Sequence, residues 1–512
     1  MLTSILVAAM IATVSRDVAD LKVRTTPAFQ QDAANGQGAA KKPKKAKEPK
    51  ETKVAKDAKT SKKAKKAKVD KPAPDEEATD ASEQIDAVAP RTPAPAPPGR
   101  LRFDLKQHPE IRIGKNVRLD FEARLQEDAH ASHPDAPGLQ CSGQVLPSPC
   151  TWELHRNRIG VSGKVTKHID FEVVRELTEQ ELTEKQLLRG ETPKSQWKDV
   201  NVNVDYIKNA QIQVGKFKVP FGLDELTGVT HNDFVYRSLG ANYLAPGLDI
   251  GGQIHGRFFK RGLNYWVGAF EHDGDNARSK KIEGGNETFA ARVTGQPFRR
   301  AMAPGLGRID VGGAFAISQL SDASNRPNGF RGRTVMAQDY FYESVYVKGT
   351  RRRFEGDVDW TVGPASVRAE YTHVLDGRLG QGLGDEDLPD ARARSWYVSG
   401  TWALTGENKA RPFKPANDFL AGGIGGIEVA ARYERLWFDS AGGTGAPERN
   451  PRAETIQPSG NRALTLGVNW TLNRFWKLQL NVIREQLEDP YANPVPGHDA
   501  FWSRVLRFQL VL

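Results

Sequence analysis

Asn116–Gln126 reads NVRLDFEARLQ. In an extended chain, successive side chains point to opposite faces. Val117, Leu119, Phe121, Ala123 and Leu125 therefore share one face, and Arg118, Asp120, Glu122, Arg124 and Gln126 share the other. A strand built this way needs one apolar and one wet environment.

The pattern recurs along the chain. Val200, Val202, Val204 and Tyr206 oppose Asn201, Asn203 and Asp205, while Leu464, Leu466, Val468 and Trp470 oppose Thr465, Gly467 and Asn469. About sixteen such segments can be read: 116–126, 154–165, 168–177, 200–207, 210–218, 250–259, 262–271, 287–297, 308–318, 351–362, 365–374, 392–404, 426–437, 461–472, 475–485 and 501–511. Tight links at Thr166-Lys167, Lys208-Asn209, Lys260-Arg261, Gly363-Pro364 and Asn473-Arg474 alternate with long polar ones at 127–153, 178–199, 219–249, 272–286, 319–350, 375–391, 438–460 and 486–500. A soluble sandwich has no reason to gather its long loops at one end. The alternation predicts an all-β, transmembrane antiparallel β-barrel with short periplasmic turns and long external loops. Two expected turns, Pro297 to Gly307 and Thr405 to Gly425, are too long, through miscounted strands or a segment folded inward. Trp152, Trp266, Trp360, Trp396, Trp402, Trp437, Trp470, Trp476 and Trp502 fall in or beside strands, as interfacial girdles require.

Composition agrees. The 512 residues are 38% hydrophobic and 27% charged, and the apolar run Ile5 to Val14 is about half of what a membrane-spanning helix needs. The net charge of +10 sits mostly in residues 1–100, which carry 20 basic and 13 acidic side chains. The remainder is nearly neutral, so nucleic acid is not expected as a partner of the barrel. Residues 1–25 form an apolar N-terminus resembling a secretory signal, although no Lys or Arg precedes its apolar core and no clean A-x-A site follows. Residues 26–100 read as a disordered linker, Lys-rich from Lys41 to Lys71 and Pro-rich from Arg91 to Arg100. This linker is either a soluble spacer or an attractor of polyanions such as lipopolysaccharide. The barrel domain is assigned to residues 101–512.

Several stretches carry a family likeness: GKFKVPFG at Gly215–Gly222, DFVYRSL at Asp233–Leu239, APGLDIG at Ala245–Gly251, TGENKARPFKP at Thr405–Pro415, GIEVAARYERL at Gly426–Leu436, and LTLGVNWTLNRFWKLQLNVI at Leu464–Ile483. Taken in order, they resemble the phosphate-selective porin O and P family of outer-membrane channels. The resemblance implies a sixteen-stranded homotrimeric barrel whose third loop, 219–249 here, folds into the lumen and narrows it. It also implies a pore lined by arginines and a lysine cluster. Two positions depart from the pattern. Leu248 stands where a basic residue is expected, removing one candidate anion contact, and the chain ends in Leu512 rather than an aromatic residue.

If the charged faces point inward, the pore-lining anion-contact candidates are Arg118, Arg124, Arg156, Arg158, Lys164, Arg257, Arg292, Arg353, Arg368, Arg432 and Arg507, with Lys218 and Arg237 at the constriction. A guanidinium stays charged and offers forked donors that match phosphate oxygens. The same faces carry nearly as many acids, including Asp120, Glu122, Glu355, Asp357, Asp359, Glu370, Glu428 and Glu434, so many arginines are expected in salt bridges. Cys141 and Cys150, in CSGQVLPSPC, are expected to close a small external disulfide loop, with a metal or redox pair as the alternative. His130 and His133 read as solvated loop histidines rather than a zinc site. No nucleophile elbow, complete phosphate loop or H-E-x-x-H is found, and neither an enzyme activity nor a cofactor is expected.

The functional expectation is a passive channel for small anions, phosphate or polyphosphate, set in outer-membrane lipid and lipopolysaccharide with its N-terminal segment in the periplasm. The alternatives are a general unselective porin, or a structural or adhesive barrel whose lumen is plugged.

Overall fold

Each of the sixteen alternating segments forms a strand, and the strands close on themselves. The computed structural model describes residues 102–104, 109–114, 116–134, 139, 152–178, 195–259, 262–275, 287–298, 306–321, 327–337 and 339–512. The apolar N-terminus, the Lys-rich linker and the Cys141/Cys150 pair lie outside these residues. The strands are β1 (Arg102–Asp104), β2 (Glu110–Ile113), β3 (Val117–His133), β4 (Glu153–Lys164), β5 (Ile169–Glu176), β6 (Trp197–Ile207), β7 (Ala210–Lys218), β8 (Leu248–Phe258), β9 (Leu263–Phe270), β10 (Thr288–Gly295), β11 (Arg308–Leu320), β12 (Gly332–Arg333), β13 (Tyr340–Tyr342), β14 (Gly349–Val362), β15 (Ala365–Arg378), β16 (Leu388–Ala403), β17 (Gly426–Ser440), β18 (Ser459–Thr471), β19 (Trp476–Leu487) and β20 (Ala500–Val511). Neighbours pair antiparallel from β3 through β11 and β14 to β20, and β20 pairs back onto β3, from Trp502 with His133 to Val511 with Arg124. Closure leaves no open edge among these sixteen strands, so their ladder groups can be satisfied within the wall. The final residue takes part: Leu512 N donates to Ala123 O at 2.9 Å. The short β1 and β2 extend the wall beside the start of β3, and the alternation alone does not reveal them.

The apolar faces point out. Val202, Val214, Ile254, Val293, Val398 and Leu466 are exposed on the outer surface, whereas Asn201, Gln213, Gln253, Arg292, Ser399 and Asn469 are buried inside. Outward tryptophans mark the turn end, where Trp360 Nε1 donates to Leu306 O and Trp470 Nε1 to Ile424 O. Trp266 departs from the girdle expectation. It shares the inward face of β9 with Phe270 and is buried, while Val267 faces out.

At the loop end the strands run further than the alternation suggests. β3 continues through His133, so His130 is a buried strand residue rather than a solvated loop histidine. β15 and β17 likewise extend to Arg378 and Ser440. Inward groups on these extensions are covered by loops, which removes the polar periodicity that a wet lumen imposes. Leu248 lies on the β8 face shared with the exposed Ile250 and Ile254, so it is off the lumen and its apolar nature costs the pore no contact.

Two loops fill part of the interior. In the connection between β11 and β14, Phe330, Val335, Met336, Phe341, Tyr342, Val345 and Val347 are buried against inward Leu436, Phe438, Ile483 and Phe501. Tyr342 stacks on Phe438 with ring centres 4.1 Å apart. The other filling loop lies between β7 and β8.

Candidate pore and constriction

The β7–β8 loop, residues 219–247, is fixed first at its neck. Val219 N donates to Gly247 O at 2.9 Å. Val219, Phe221 and Ala245 pack with Phe217, Phe270 and the inward alanines Ala290, Ala314 and Ala316. Those small side chains let the loop lie against the wall of β10 and β11. Gly222 then turns the chain with φ 82°, where a Cβ would stand 2.9 Å from Glu370 Oε1. The position therefore favours glycine on both counts. A single helical turn, α1 (Leu223–Leu226), follows, with Asp224 N donating to Glu370 Oε2. A second, α2 (Leu239–Tyr243), is capped by Ser238 and held by Leu239 N donating to Glu434 Oε2.

Between the two helical turns the loop crosses to the far wall. Asn469 Nδ2 donates to Asp233 O, Lys477 Nζ to Asn232 O, and Val235 N to Asn481 Oδ1. The over-long β16–β17 turn folds inward to meet it. Lys409 Nζ stands 2.6 Å from Asp233 Oδ1, and Arg411 Nη2 lies 3.0 Å from Asp233 Oδ2. Burial pushes the Asp233 carboxyl up, but Arg411, Lys409 and Arg368 outweigh it and hold the group well below the usual carboxylate range.

Four of the inward candidate arginines serve this loop. Arg353 Nε donates to Leu244 O, Arg432 Nη1 to Tyr236 O and Arg507 Nη1 to Val235 O. Their remaining donors meet carboxylates: Arg353 with Asp273, Arg432 with Glu434, and Arg507 with both oxygens of Asp128. Arg368 joins Asp359 to Thr227, and Arg292 sits between Glu355 and Asp357. All five are buried; four of them anchor the loop, and Arg292 is held by the two wall carboxylates. Within the loop, Arg237 donates to Asp224 O and Thr227 O and pairs with Glu225, while Lys218 donates to Glu225 O.

The remaining candidates line β3, β4 and β8. Arg118 pairs with Asp120, Arg124 with Glu122, Arg158 with Glu176 and Lys164 with Asp170, each at 2.7–2.8 Å. Arg124 is as buried as the anchoring set, but the others keep more water, with Lys164 39% and Arg118 21% exposed against 0% for Arg353. Arg257 stands on the inward face at the turn end of β8. Arg156 differs. A register shift between β3 and β4 turns both His155 and Arg156 inward. His155 meets the Tyr236 ring, and Arg156 Nη1 donates to the neutral Gln126 Oε1 at 2.8 Å. Arg158, Arg237 and Arg507 lie within electrostatic range of Arg156, as do the acids Asp128 and Glu153.

Lys409, Arg411, Lys477 and Arg351 escaped the sequence-based candidate set because they fall in a turn or at strand ends. The motif TGENKARPFKP was the available signal. Its Lys409 and Arg411 grip DFVYRSL through Asp233, and GIEVAARYERL supplies Glu428, Arg432 and Glu434 to the same junction.

Comparison with known proteins agrees with this geometry. The sequence model described as phosphate-selective porin O and P matches residues 150–511. No curated protein matches the chain by sequence. Solved structures to which the chain aligns include OmpT, an outer membrane protein of Vibrio cholerae, at 11% identity and TM-score 0.45, covering 77% of this chain and 98% of that one. The outer membrane channel DcaP of Acinetobacter baumannii aligns at 11% identity and TM-score 0.46, covering 78% and 98%. The anion-selective porin from Comamonas acidovorans aligns at 12% identity and TM-score 0.43, covering 77% and 100%. With its closed sixteen-stranded barrel and its match over most of the chain, this protein belongs to the phosphate-selective porin O and P family of bacterial outer-membrane channels and is not an enzyme.

Proposed function

We propose that the barrel is a passive diffusion channel for small anions, with phosphate or polyphosphate as the favoured class. The observation that carries this reading is Arg156. It faces the lumen, spends its one side-chain hydrogen bond on a neutral amide, and lies near Arg158, Arg237 and Arg507. A passing anion finds there a guanidinium that makes no direct carboxylate contact among the described residues, while its arginine neighbours are themselves paired with acids. Arg118, Arg124, Arg158, Lys164 and Arg257 extend the polar path, each attracting ions less strongly where a carboxylate is bound. The anchoring arginines act indirectly, by holding the loop that sets the bore.

The test is single-channel recording of the refolded protein in a planar bilayer, with reversal potential in a KCl gradient and block by inorganic phosphate. Anion preference with phosphate block supports the proposal. Arg156→Gln is expected to lower the anion-to-cation permeability ratio about fivefold, the effect of roughly 1 kcal/mol in a water-filled site. Open channels without preference would make this a general porin, the outcome favoured by the many Arg–carboxylate pairs on β3 to β5. A barrel without current would make it structural, which the apolar filling at the loop end favours. In this reading the channel works as a homotrimer, lipopolysaccharide surrounds its outer rim, and residues 26–100 lie in the periplasm.

A further inference from the structure

The outer surface of β14 to β20 carries a row of basic side chains at one height. Counting along each strand from the turn end, the spacing is eight residues every time: Trp360 to Arg352, Ala365 to His373, Trp402 to Arg394, Ile427 to Arg435, Trp470 to Arg462, Trp476 to Arg484 and Leu512 to Arg504. With about 3.3 Å per residue and a strand tilt of roughly 40°, this places the row about 20 Å above the turn-end girdle, close to the external rim of the apolar band.

The row is continuous. His373 is directly opposite Arg394, and Arg435 is directly opposite Arg462. Arg394 faces Trp437, which places Arg435 diagonally beside it; Arg462 and Arg484, then Arg484 and Arg504, are related in the same way. Trp437 lies between the Arg394 and Arg435 guanidiniums, at 4.7 and 4.5 Å. Carboxylates answer only part of this charge. Asp390 meets Arg352, Asp439 meets Arg392 and Arg394, and Glu488 is shared by Arg435 and Arg462. Arg484 and Arg504 are exposed and pair with no carboxylate among the described residues. Trp502, opposite Arg484, is exposed beside them.

Like charges opposite one another weaken strand pairing, and cations on a lipid-facing wall oppose insertion. Folding alone gives no reason for the row, whereas an anionic headgroup at the membrane surface does. Near this height β8, β10 and β11 present Ile250, Phe289 and Ile317 outward instead, with Ile317 directly opposite Arg352. We propose that the outward basic belt of β14 to β20, centred on Arg484 and Arg504, is a docking surface for the phosphorylated sugar headgroup of lipopolysaccharide. Guanidiniums fork onto the phosphates while their stems stay in the apolar band, and Trp502 offers a flat apolar plate to the sugar. The inference rests on the placement of lipopolysaccharide around the rim and is independent of what passes through the pore.

The test is native mass spectrometry of the barrel extracted from outer membranes, counting glycolipid retained per chain. Arg484→Gln with Arg504→Gln is expected to lower retention at least threefold, while Lys208→Gln in a turn at the opposite end leaves it unchanged. Unchanged retention in the double variant would overturn the proposal. So would separation of an oligomer into single chains without loss of glycolipid, which would make the face an interface between copies. A second measurement needs no variant: the refolded wild-type barrel is titrated with lipopolysaccharide, with the same lipid stripped of phosphate, and with phosphatidylglycerol vesicles. Thermal stabilisation by the first alone supports the proposal, and equal stabilisation by the stripped lipid or by phosphatidylglycerol overturns it. Current through the channel is recorded in parallel, so failure of the belt and failure of the anion-pore reading are told apart.

Discussion

Lys409 and Asp233 approach from opposite ends of the barrel and meet inside it. The lysine comes from the turn end, the aspartate from a loop rooted at the other end, and the ammonium also lies 2.6 Å from Glu428 Oε1. Both partners are buried. This contact fixes the middle of the inserted loop.

Removing the lysine leaves two buried carboxylates with less compensation. Lys409→Met is expected to destabilise the loop anchorage by about 3–5 kcal/mol, the usual cost of breaking a buried pair from one side. Arg411 still holds Asp233, so the barrel should fold while the loop wanders. Single-channel traces are expected to show larger, noisier currents than wild type. Steady currents of wild-type size would mean that Lys409 does not position the loop.

Gly240 reports on the opposite edge of the same loop. A Cβ there would stand 2.0 Å from Ser395 Oγ on β16. Gly240→Ala is expected to push α2 off the wall, at a cost of about 1–3 kcal/mol for overpacking, and to reduce conductance by moving the loop into the lumen. Gly240→Ala combined with Ser395→Gly makes room again and should restore the current. Failure of that rescue would show that the glycine matters for something other than its approach to β16.

Acid stability has a named contributor at the loop end. Asp273 follows β9 and receives Arg351 and Arg353 from β14. Burial pushes its carboxyl up, but Arg353 and Arg351 overcome this and hold it at about 2. A carboxylate lowered on folding contributes stability that is fully present above its unfolded pKa of about 4 and disappears as pH falls through about 2; the contribution here is about 2 kcal/mol. Asp273→Asn should flatten that part of the acid-unfolding curve, measured by heat-modifiable gel mobility. An unchanged curve would place the acid sensitivity elsewhere.

The barrel was legible because lipid on one side and water on the other impose a period of two on every strand, as in Asn116–Gln126. The interior was legible only in part. Parity placed Arg353, Arg432 and Arg507 on the inner wall, but nothing in a strand's periodicity says whether an inward arginine meets water or a loop carbonyl. Val374, Leu436, Ile483 and Phe501 likewise sit on inward positions that parity reserves for polar groups, because a loop distant in sequence covers them. Where the interior is dry, the alternation that reveals the strand fades, which is why the expected loops began too early at Glu127 and Leu375. The family motifs supplied what periodicity lacked, since GKFKVPFG, DFVYRSL and TGENKARPFKP each hold a piece of one anchorage.

The second inward loop gives the last prediction. Phe341 is buried, its carbonyl accepts from Ser459 Oγ, and its neighbour Tyr342 stacks on Phe438. Val335 N donates to Glu485 Oε2, and Phe330 lies under the Arg351 guanidinium at 3.7 Å. These contacts tie residues 327–347 to β14, β17, β18 and β19 while leaving the strand ladders untouched. Phe341→Ala is expected to cost about 3–5 kcal/mol locally, as large-to-small core changes do. The barrel should keep its heat-modifiable mobility, since strand pairing does not run through this loop. If the loop narrows the external vestibule, the variant conducts more and is cut faster by added protease within residues 327–347. Faster cleavage with unchanged current would mean that the loop rests against the wall outside the ion path, leaving the β7–β8 loop to set the resistance.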